Sequence, residues 1–236
     1  MLLLHGWGAS SANFGPVIGA LHEKFTVLAP DLPGFGFSDQ PLEPWGSYEY
    51  AGVVARLAAE VEASHFHVLG HSFGGRVALA LSCAYPGLVK KLVLVDSPGI
   101  RVPAAAKLAL KGCLYRALRF SARALPPPQR ESVLSWARQL LGSPDYRAAG
   151  PLRGTLVKLL SEDFRTKLPG ILSPTLVIWG DHDTEVPLDT ARIMAQEIPH
   201  AELMIIPNAG HFPFLDQPKA FTDTVIRFLE AEAVRE

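Results

Sequence analysis

The chain has 236 residues, 48% of them hydrophobic and 19% charged, which is typical of a globular domain and excludes a disordered chain. Its longest apolar stretches fall far short of the roughly 18 residues that span a bilayer, and no basic stretch interleaved with aromatic residues indicates nucleic-acid binding. The net charge of −1 is the sum of the positive charge of one basic segment and the negative charge of the rest of the chain.

Short apolar runs rich in β-branched residues alternate along the chain with helix-patterned segments. Strands that are apolar throughout are buried on both faces, as in a parallel sheet covered by helices. We therefore predict an α/β protein with an open, mostly or wholly parallel sheet of about six strands. The predicted strands are 2–5, 25–30, 65–70, 91–96, 175–180 and 202–207, and the predicted helices lie near 12–22, 47–63, 74–85, 189–197 and 217–233.

Residues 99–170 depart from this alternation, because they have helical patterning, several proline and glycine breakers and no convincing strand. They carry 13 basic and four acidic residues, a net charge of +9, whereas the rest of the chain carries −10. A long insert after the carboxyl end of a strand lies where open α/β sheets bind ligands. We therefore predict an α/β core of residues 1–98 and 171–236, and a helical lid of residues 99–170 inserted after the strand that ends near Asp96.

The stretch LGHSFGGR at residues 69–76 places Ser72 among glycines at a predicted strand-to-helix junction. Small neighbours suit a turn so tight that larger side chains would clash. A serine hydroxyl becomes a good nucleophile only beside a base that a third group orients. Asp183 and His211 follow the last two predicted strands, so all three loops leave the same edge of a parallel sheet. The order Ser, Asp, His is that of the G-x-S-x-G nucleophile elbow.

An acyl-transfer reaction also needs donors for the negatively charged oxygen of its tetrahedral intermediate. The backbone N–H of Phe73 is one candidate, because it lies at a helix N-terminus. The backbone N–H of Trp7 is the other, because Gly6 and Gly8 let the loop after the first strand bend towards the site.

The motifs HGWG, DLPGFGFSD, GHSFGG, WGDHDTEVP and GH occur in this order over nearly the whole chain. Together they resemble the α/β-hydrolase superfamily, and in particular its lidded group of carboxylesterases, carbon–carbon bond hydrolases, haloalkane dehalogenases and epoxide hydrolases. The resemblance implies that Ser72 is the nucleophile, His211 the base and Asp183 the acid, with Trp7 and Phe73 forming the oxyanion hole.

The acid has competitors, because Asp181, Asp183 and Glu185 all lie in one predicted loop. The family pattern places it three residues after the glycine of the WG pair, which selects Asp183, and Asp181 would then stabilise the loop. Asp96 is the alternative, because some family members carry their acid after that strand. His182 lies beside Asp183 with no second ligand at metal-binding spacing, so no metal is predicted. The rings of His5 and His71 are expected to form local hydrogen bonds.

The identity of the nucleophile narrows the reaction. Dehalogenases and epoxide hydrolases of the family use a carboxylate where this chain has Ser72, and carbon–carbon bond hydrolases often carry Asn where it has His71. The chain is also similar to the biotin-pathway esterases that act on a carrier-bound methyl ester. The main prediction is a cofactor-free serine hydrolase that cleaves carboxylic esters of small to medium acyl chains through an acyl-enzyme, with Val186 and Phe212 in the apolar wall of the substrate site.

Other functions stay open. A carbon–carbon bond hydrolase, an esterase or thioesterase of carrier-bound acyl groups and a proton-abstracting lyase would use the same residues, and a ligand-binding receptor could use the same scaffold. The basic lid would suit an acidic carrier protein, although solvated helix faces account for such charges as well.

Three further expectations concern the N-terminal strands, the oligomeric state and the cellular compartment. Met1 stands almost inside the first predicted strand, so the two strands that usually precede it in the family are expected to be missing. The strand at 25–30 would then be an uncovered edge, so either the native chain is longer or this edge pairs with a second subunit in a homodimer. MLLLHG does not resemble a signal peptide, and Cys83 and Cys113 fall in helix-like segments as reduced core residues do, so a cytoplasmic protein is expected.

Overall fold

A computed structural model of the chain describes residues 1–101, 120–131, 133–134 and 144–231. Within this part, five parallel strands form one sheet, in which they lie side by side in chain order. The α/β class and the wholly parallel sheet are therefore confirmed. The strands are β1 (Leu2–Leu4), β2 (Phe66–His71), β3 (Val89–Val95), β4 (Thr175–Gly180) and β5 (Ala201–Ile206).

The prediction of a sixth strand at 25–30 is wrong. This segment forms a single parallel bridge between Leu28 and Leu2, at the outer edge of β1. Leu3 N donates to Leu28 O at 2.9 Å and Leu28 N donates to Met1 O at 2.8 Å. Pairing ends there because β1 is only three residues long and Pro30 has no N–H to donate. Pairing of this edge with a second subunit stays a prediction.

The five helices predicted for the core are confirmed, with ends that differ by a few residues. Residues 127–131 are also helical, and short 3₁₀ helices occupy Ser11–Phe14, Pro86–Leu88, Ala122–Ala124, Gly150–Leu152 and Arg165–Gly170. The helices are α1 (Gly15–His22), α2 (Ser47–Glu60), α3 (Phe73–Ala84), α4 (Pro144–Ala148), α5 (Arg153–Ser161), α6 (Leu188–Glu197), α7 (Pro213–Asp216) and α8 (Pro218–Glu230).

The predicted lid is described only in part, since residues 102–119, 132 and 135–143 lie outside the described residues, and Cys113 is among them. The described residues of the lid contain α4 and α5 and no strand. The division of the chain into core and lid stays a prediction. Among the described helices, none has the length and apolar character needed to cross a membrane.

The sheet is buried on both faces. Leu2 and Leu4 point into one hydrophobic cluster, which α2, α3 and α6 complete. Leu3 points into a second cluster on the opposite face, which α1 and α8 cover. This alternation is the period-two geometry of a strand, and burial of both faces explains why the strands are apolar throughout.

The course of the chain also locates a crevice. From β1 the chain runs outward to Leu28 and then returns past β1 to form β2. The direction of winding therefore reverses between β1 and β2. Open α/β sheets bind ligands at the carboxyl ends of the strands beside such a reversal, which here are the loops that begin at His5 and Ser72.

A buried lysine joins the sheet to the last helix. Lys91 lies on β3 and is 6% exposed, and its ammonium group donates to the carbonyls of Phe228 at 2.7 Å and Ala231 at 2.5 Å. These carbonyls stand at the end of α8, where carbonyl groups lack intrahelical donors and where the helix dipole favours a cation.

Replacing Lys91 by Met is expected to lower the free energy of unfolding by about 1–3 kcal/mol, because buried carbonyls lose their donor. Urea unfolding measures the change. Lys90→Met is the matched control, since Lys90 is the exposed neighbour on the same strand, and it should change stability by less than about 0.5 kcal/mol. Equal effects of the two substitutions would contradict the capping role.

Candidate active site

Ser72 stands in a strained turn between β2 and α3. Its backbone has φ 49° and ψ −114°, a conformation that costs a non-glycine residue on the order of 1–3 kcal/mol. Its N–H donates to the carbonyl of Val95 at 2.9 Å, at the end of the neighbouring strand. Strain of this kind persists only where the surrounding structure enforces it.

Two glycines allow the turn to form. A side chain at Gly70 would collide with the backbone of Gly74, and a side chain at Gly74 would collide with the carbonyl groups of Leu4 and His5. The first turn of α3 therefore packs directly on the end of β1, without side chains in between. This contact is the steric reason for the glycines around Ser72 in the sequence.

The structure brings Ser72, His211 and Asp183 into one hydrogen-bonded chain. His211 Nε2 lies 3.0 Å from Ser72 Oγ, and His211 Nδ1 lies 2.9 Å from Asp183 Oδ2. The other Asp183 oxygen accepts the backbone N–H groups of Glu185 at 2.7 Å and Val186 at 3.0 Å. Three residues distant in sequence thus meet at the carboxyl edge of the sheet, as predicted from the loops that carry them.

Asp183 is held as a carboxylate. Burial acts to raise the pKa of this carboxyl group, but the hydrogen bond from His211 and the backbone donors of Val186 and Glu185 outweigh burial, and the pKa is lowered. A carboxylate at Nδ1 fixes the imidazole tautomer in which Nδ1 carries the proton and Nε2 accepts from the serine hydroxyl.

His71 holds the backbone of His211 in place. Its Nε2 donates to the carbonyl of His211 at 2.7 Å, and its ring packs against Phe212 with a centroid distance of 4.8 Å. Burial lowers the pKa of His71 to about 3, so the ring is neutral at physiological pH. The expected hydrogen bond of His71 therefore exists, but its partner is 140 positions away along the chain.

The loop after β1 lies against Ser72. A methyl group added to Gly6 would stand 3.4 Å from Ser72 Cβ. The carbonyl of Gly6 accepts from His5 Nδ1 at 2.9 Å and from Ala9 N at 3.3 Å. Because a peptide unit is planar, holding this carbonyl also fixes the direction of the Trp7 N–H in the same unit.

His5 and Trp7 are themselves well anchored. His5 Nε2 accepts the backbone N–H of Leu32 at 2.8 Å, which leaves the ring proton on Nδ1 for Gly6. The Trp7 ring packs edge-to-face on Phe35 and Phe73, with centroid distances of 4.9 and 5.7 Å.

The Phe73 N–H is the second predicted donor to the oxyanion. It belongs to the first turn of α3, where N–H groups have no intrahelical acceptor.

Asp96, the competing acid, lies at the end of β3 and has no hydrogen bond to His211. It is fully buried, its Oδ1 accepts the backbone N–H of Gly180 at 3.0 Å, and its Oδ2 has no hydrogen-bond partner among the described residues. Burial, with the nearby Asp183 carboxylate as a smaller cause, raises the pKa of Asp96 to about 9. At neutral pH Asp96 is therefore uncharged and Asp183 is charged.

Ligand-type atoms of Asp96, Asp183 and His211 lie within 4.8 Å of one another. A cation there would have to replace the hydrogen bond between His211 and Asp183 and ionise a carboxyl group that burial keeps neutral. The cluster therefore handles protons more readily than a metal ion.

The two residues predicted for the substrate wall lie beside this chain of hydrogen bonds. The Phe212 ring is 5.3 Å from the His211 ring, measured between centroids. Val186 is half-buried, and its carbonyl accepts from Trp179 Nε1 at 3.1 Å. Their contact with a substrate stays a prediction. Asp181 accepts the backbone N–H of Ala209 at 3.2 Å, so it joins the loops after β4 and β5, as expected.

One residue of the site was not predicted to have a role of its own. Glu185 Oε2 lies 3.6 Å from His211 Nε2, and the Glu185 side chain is 58% exposed. In the sequence it is only one of the three acidic residues of this loop, with Asp181 and Asp183. Its approach to the imidazole depends on the turn that Asp183 forms with the backbone of residues 185 and 186, and the spacing alone does not reveal that turn.

Comparisons with known proteins agree with this architecture. Residues 1–224 match the model of the alpha/beta hydrolase family. The chain is 31% identical to a pimeloyl-[acyl-carrier protein] methyl ester esterase of Nitrosomonas europaea, over 94% of this chain and 92% of that protein. It is 30% identical to a 2-hydroxymuconate semialdehyde hydrolase of Pseudomonas putida, over 99% and 88% respectively. The crystal structure of a hydrolase from Pseudomonas aeruginosa PA01 superposes with a TM-score of 0.75 at 26% identity, covering 98% of this chain and 89% of that one.

The neutral state of Asp96 predicts how stability varies with pH. The folded protein keeps this proton up to a pKa of about 9, whereas the unfolded chain releases it near the model-peptide value of 3.8. Asp96 therefore contributes stability that is present at low pH and is lost as the pH rises towards 9. Asp96→Asn removes this dependence while keeping the oxygen that accepts from Gly180.

Urea unfolding at about pH 5 and about pH 8 should show the Asp96→Asn variant gaining stability relative to the wild type at the higher pH. Asp223→Asn is the control, because Asp223 is exposed and paired with Lys219. A difference between Asp96→Asn and wild type that stays constant over this pH range would contradict a proton on Asp96.

Proposed function

The chain belongs to the alpha/beta hydrolase family, and we propose that it is a serine hydrolase that cleaves carboxylic esters of small to medium acyl chains. The observation that carries the proposal is the continuous hydrogen-bonded chain from Ser72 Oγ through His211 to Asp183. It pairs a hydroxyl with a base and orients that base with a carboxylate, which is the arrangement that activates a serine.

In the proposed acylation step, Ser72 Oγ attacks the ester carbonyl carbon while its proton passes to His211 Nε2. The bond to the alcohol then breaks, and the same Nε2 returns the proton to the departing oxygen. Asp183 stabilises the imidazolium that forms in between. Hydrolysis repeats these steps with water in place of Ser72, which releases the acid and restores the serine.

The negative charge on the intermediate's oxygen would be stabilised by the backbone N–H groups of Trp7 and Phe73. The position of Gly6 against Ser72 supports this role, because it brings the Trp7 peptide next to the reacting hydroxyl. The loss of one such donor typically costs about 2.7–4 kcal/mol of transition-state stabilisation. Val186 and Phe212 would line the apolar side of the substrate site.

A second candidate function is hydrolysis of an ester carried by an acidic carrier protein. One relative is named as a methyl ester esterase of a carrier-bound acyl group, and the predicted lid carries 13 basic and four acidic residues, a charge that suits an acidic partner. Another relative is named as a semialdehyde hydrolase, so cleavage of carbon–carbon bonds is a third candidate.

The nucleophile is tested by labelling. The wild-type protein should react with a fluorophosphonate probe at one residue and hydrolyse p-nitrophenyl esters, and Ser72→Ala should lose the label and at least about 10⁴-fold in turnover. Circular dichroism checks that the variant is folded. Ester turnover near the wild-type level in Ser72→Ala would refute the assignment, and a wild-type protein that binds esters without turning them over would indicate a receptor.

The acid is tested by two isosteric substitutions. Asp183→Asn should lower ester turnover on the order of 10⁴-fold, because the imidazole tautomer that accepts the serine proton is no longer favoured. Asp96→Asn should keep turnover within about tenfold of wild type, because Asp96 is already uncharged. The reverse ranking in steady-state kinetics would identify Asp96 as the acid.

The substrate class is tested by competition. A series of free p-nitrophenyl esters of increasing acyl length, a methyl ester carried by an acyl carrier protein and a semialdehyde substrate should be compared by kcat/KM. The main proposal expects the free esters to be preferred. A preference above about 100-fold for the carrier-bound ester, about 2.7 kcal/mol, would favour the second candidate instead.

A further inference from the structure

Glu185 places a carboxylate next to the atom through which the proposed reaction moves its proton. Its Oε2 lies 3.6 Å from His211 Nε2, and the same nitrogen lies 3.0 Å from Ser72 Oγ. The Glu185 backbone is fixed, because its N–H donates to Asp183 Oδ1 at 2.7 Å. Within the part of the chain that the structure describes, no lysine or arginine forms an ion pair with this carboxylate.

This carboxylate does not duplicate Asp183. His211 Nδ1 already bonds to Asp183, and 3.6 Å exceeds hydrogen-bonding distance. Glu185 therefore acts through its charge rather than through a hydrogen bond. The imidazole itself is nearly buried, with 7% of its side chain exposed, whereas the Glu185 side chain is 58% exposed, so the Glu185 carboxylate is the more accessible of the two to solvent.

The chemistry of the proposed reaction determines what that charge meets. His211 Nε2 must reach the oxygen of the departing alcohol in order to protonate it. The alcohol portion of the ester therefore passes within a few ångströms of Glu185. A negative charge on the alcohol is repelled at that distance and a positive charge is attracted, and both effects are weakened by solvent because Glu185 is partly exposed.

We propose that Glu185 is a specificity-determining residue that selects esters of neutral or cationic alcohols and disfavours esters whose alcohol portion is anionic. This inference rests on the proposed ester hydrolysis. It concerns which alcohol portions of the ester the enzyme accepts, whereas the main proposal concerns the length of the acyl portion.

A matched pair of substrates isolates the charge. Choline esters and 3,3-dimethylbutyl esters have nearly the same shape and differ in the charge of one quaternary centre, and both can be made as acetates and butyrates. The measured quantity is the ratio of kcat/KM for the choline ester to that for the dimethylbutyl ester. Any effect of Glu185 on the basicity of His211 is common to both substrates and cancels in this ratio.

Glu185→Gln and Glu185→Ala are both expected to lower the ratio by about three- to fivefold, the size of a partly exposed charge pair. Asp189→Asn is the matched control, because it removes one negative charge from the neighbouring helix α6, where Asp189 is already paired with Arg192. The control should keep the wild-type ratio. Raising the salt to about 1 M should lower the wild-type ratio towards that of the two Glu185 variants.

An unchanged ratio in both variants would overturn the inference and leave the proposed function intact. Loss of dimethylbutyl ester cleavage in both variants would overturn it as well, because a residue that only selects charge is dispensable for the neutral substrate. A wild-type protein that takes up no fluorophosphonate and cleaves neither ester would instead refute the proposed function, and the inference would fall with it.

Discussion

The site depends on one close contact between backbones, that of Gly74 with the carbonyl groups of Leu4 and His5. It seats the first turn of α3 on the end of β1, at the reversal of winding between β1 and β2. Only at this separation do the loop at Gly6 and the hydroxyl of Ser72 become neighbours. The strained φ of Ser72 is the local cost of that arrangement, and burial on both faces of the sheet supplies the stability to hold it.

Around this contact, burial and hydrogen bonding together give two aspartates, Asp183 and Asp96, opposite protonation states. Asp183 keeps its charge because His211 and two backbone N–H groups donate to it, whereas Asp96 is fully buried and accepts from one backbone donor, Gly180. Two adjacent carboxylates would otherwise repel each other. With Asp96 and His71 both neutral, His211 is the one ionisable side chain that is hydrogen-bonded to the Asp183 carboxylate among the described residues.

The sequence was informative where local chemistry sets the geometry. Apolar runs predicted β1 to β5, and post-strand loops predicted the meeting of Ser72, Asp183 and His211. Prediction failed where strand pairing depends on the length of the neighbouring strand. Residues 25–30 form a single bridge because β1, the strand beside them, is only three residues long. It also missed contacts that only the folded chain creates. The bond from His71 to the His211 carbonyl and the approach of Glu185 to His211 join residues whose separation no local pattern encodes.

The charge asymmetry has an intramolecular explanation in the described residues of the predicted lid. Lys158 pairs with Glu49, and Arg165 pairs with Glu197 at 2.7 Å, so basic residues of this segment meet acidic residues of the predicted core. Arg123 and Arg153 lie over aromatic rings. Exposed ion pairs of this kind contribute little stability individually. Lys158 and Arg165 therefore join the described part of this segment to the predicted core, so these two positive charges already have partners within the chain. Glu185 is different in kind, because the side chain that its carboxylate approaches is the imidazole that the reaction would use.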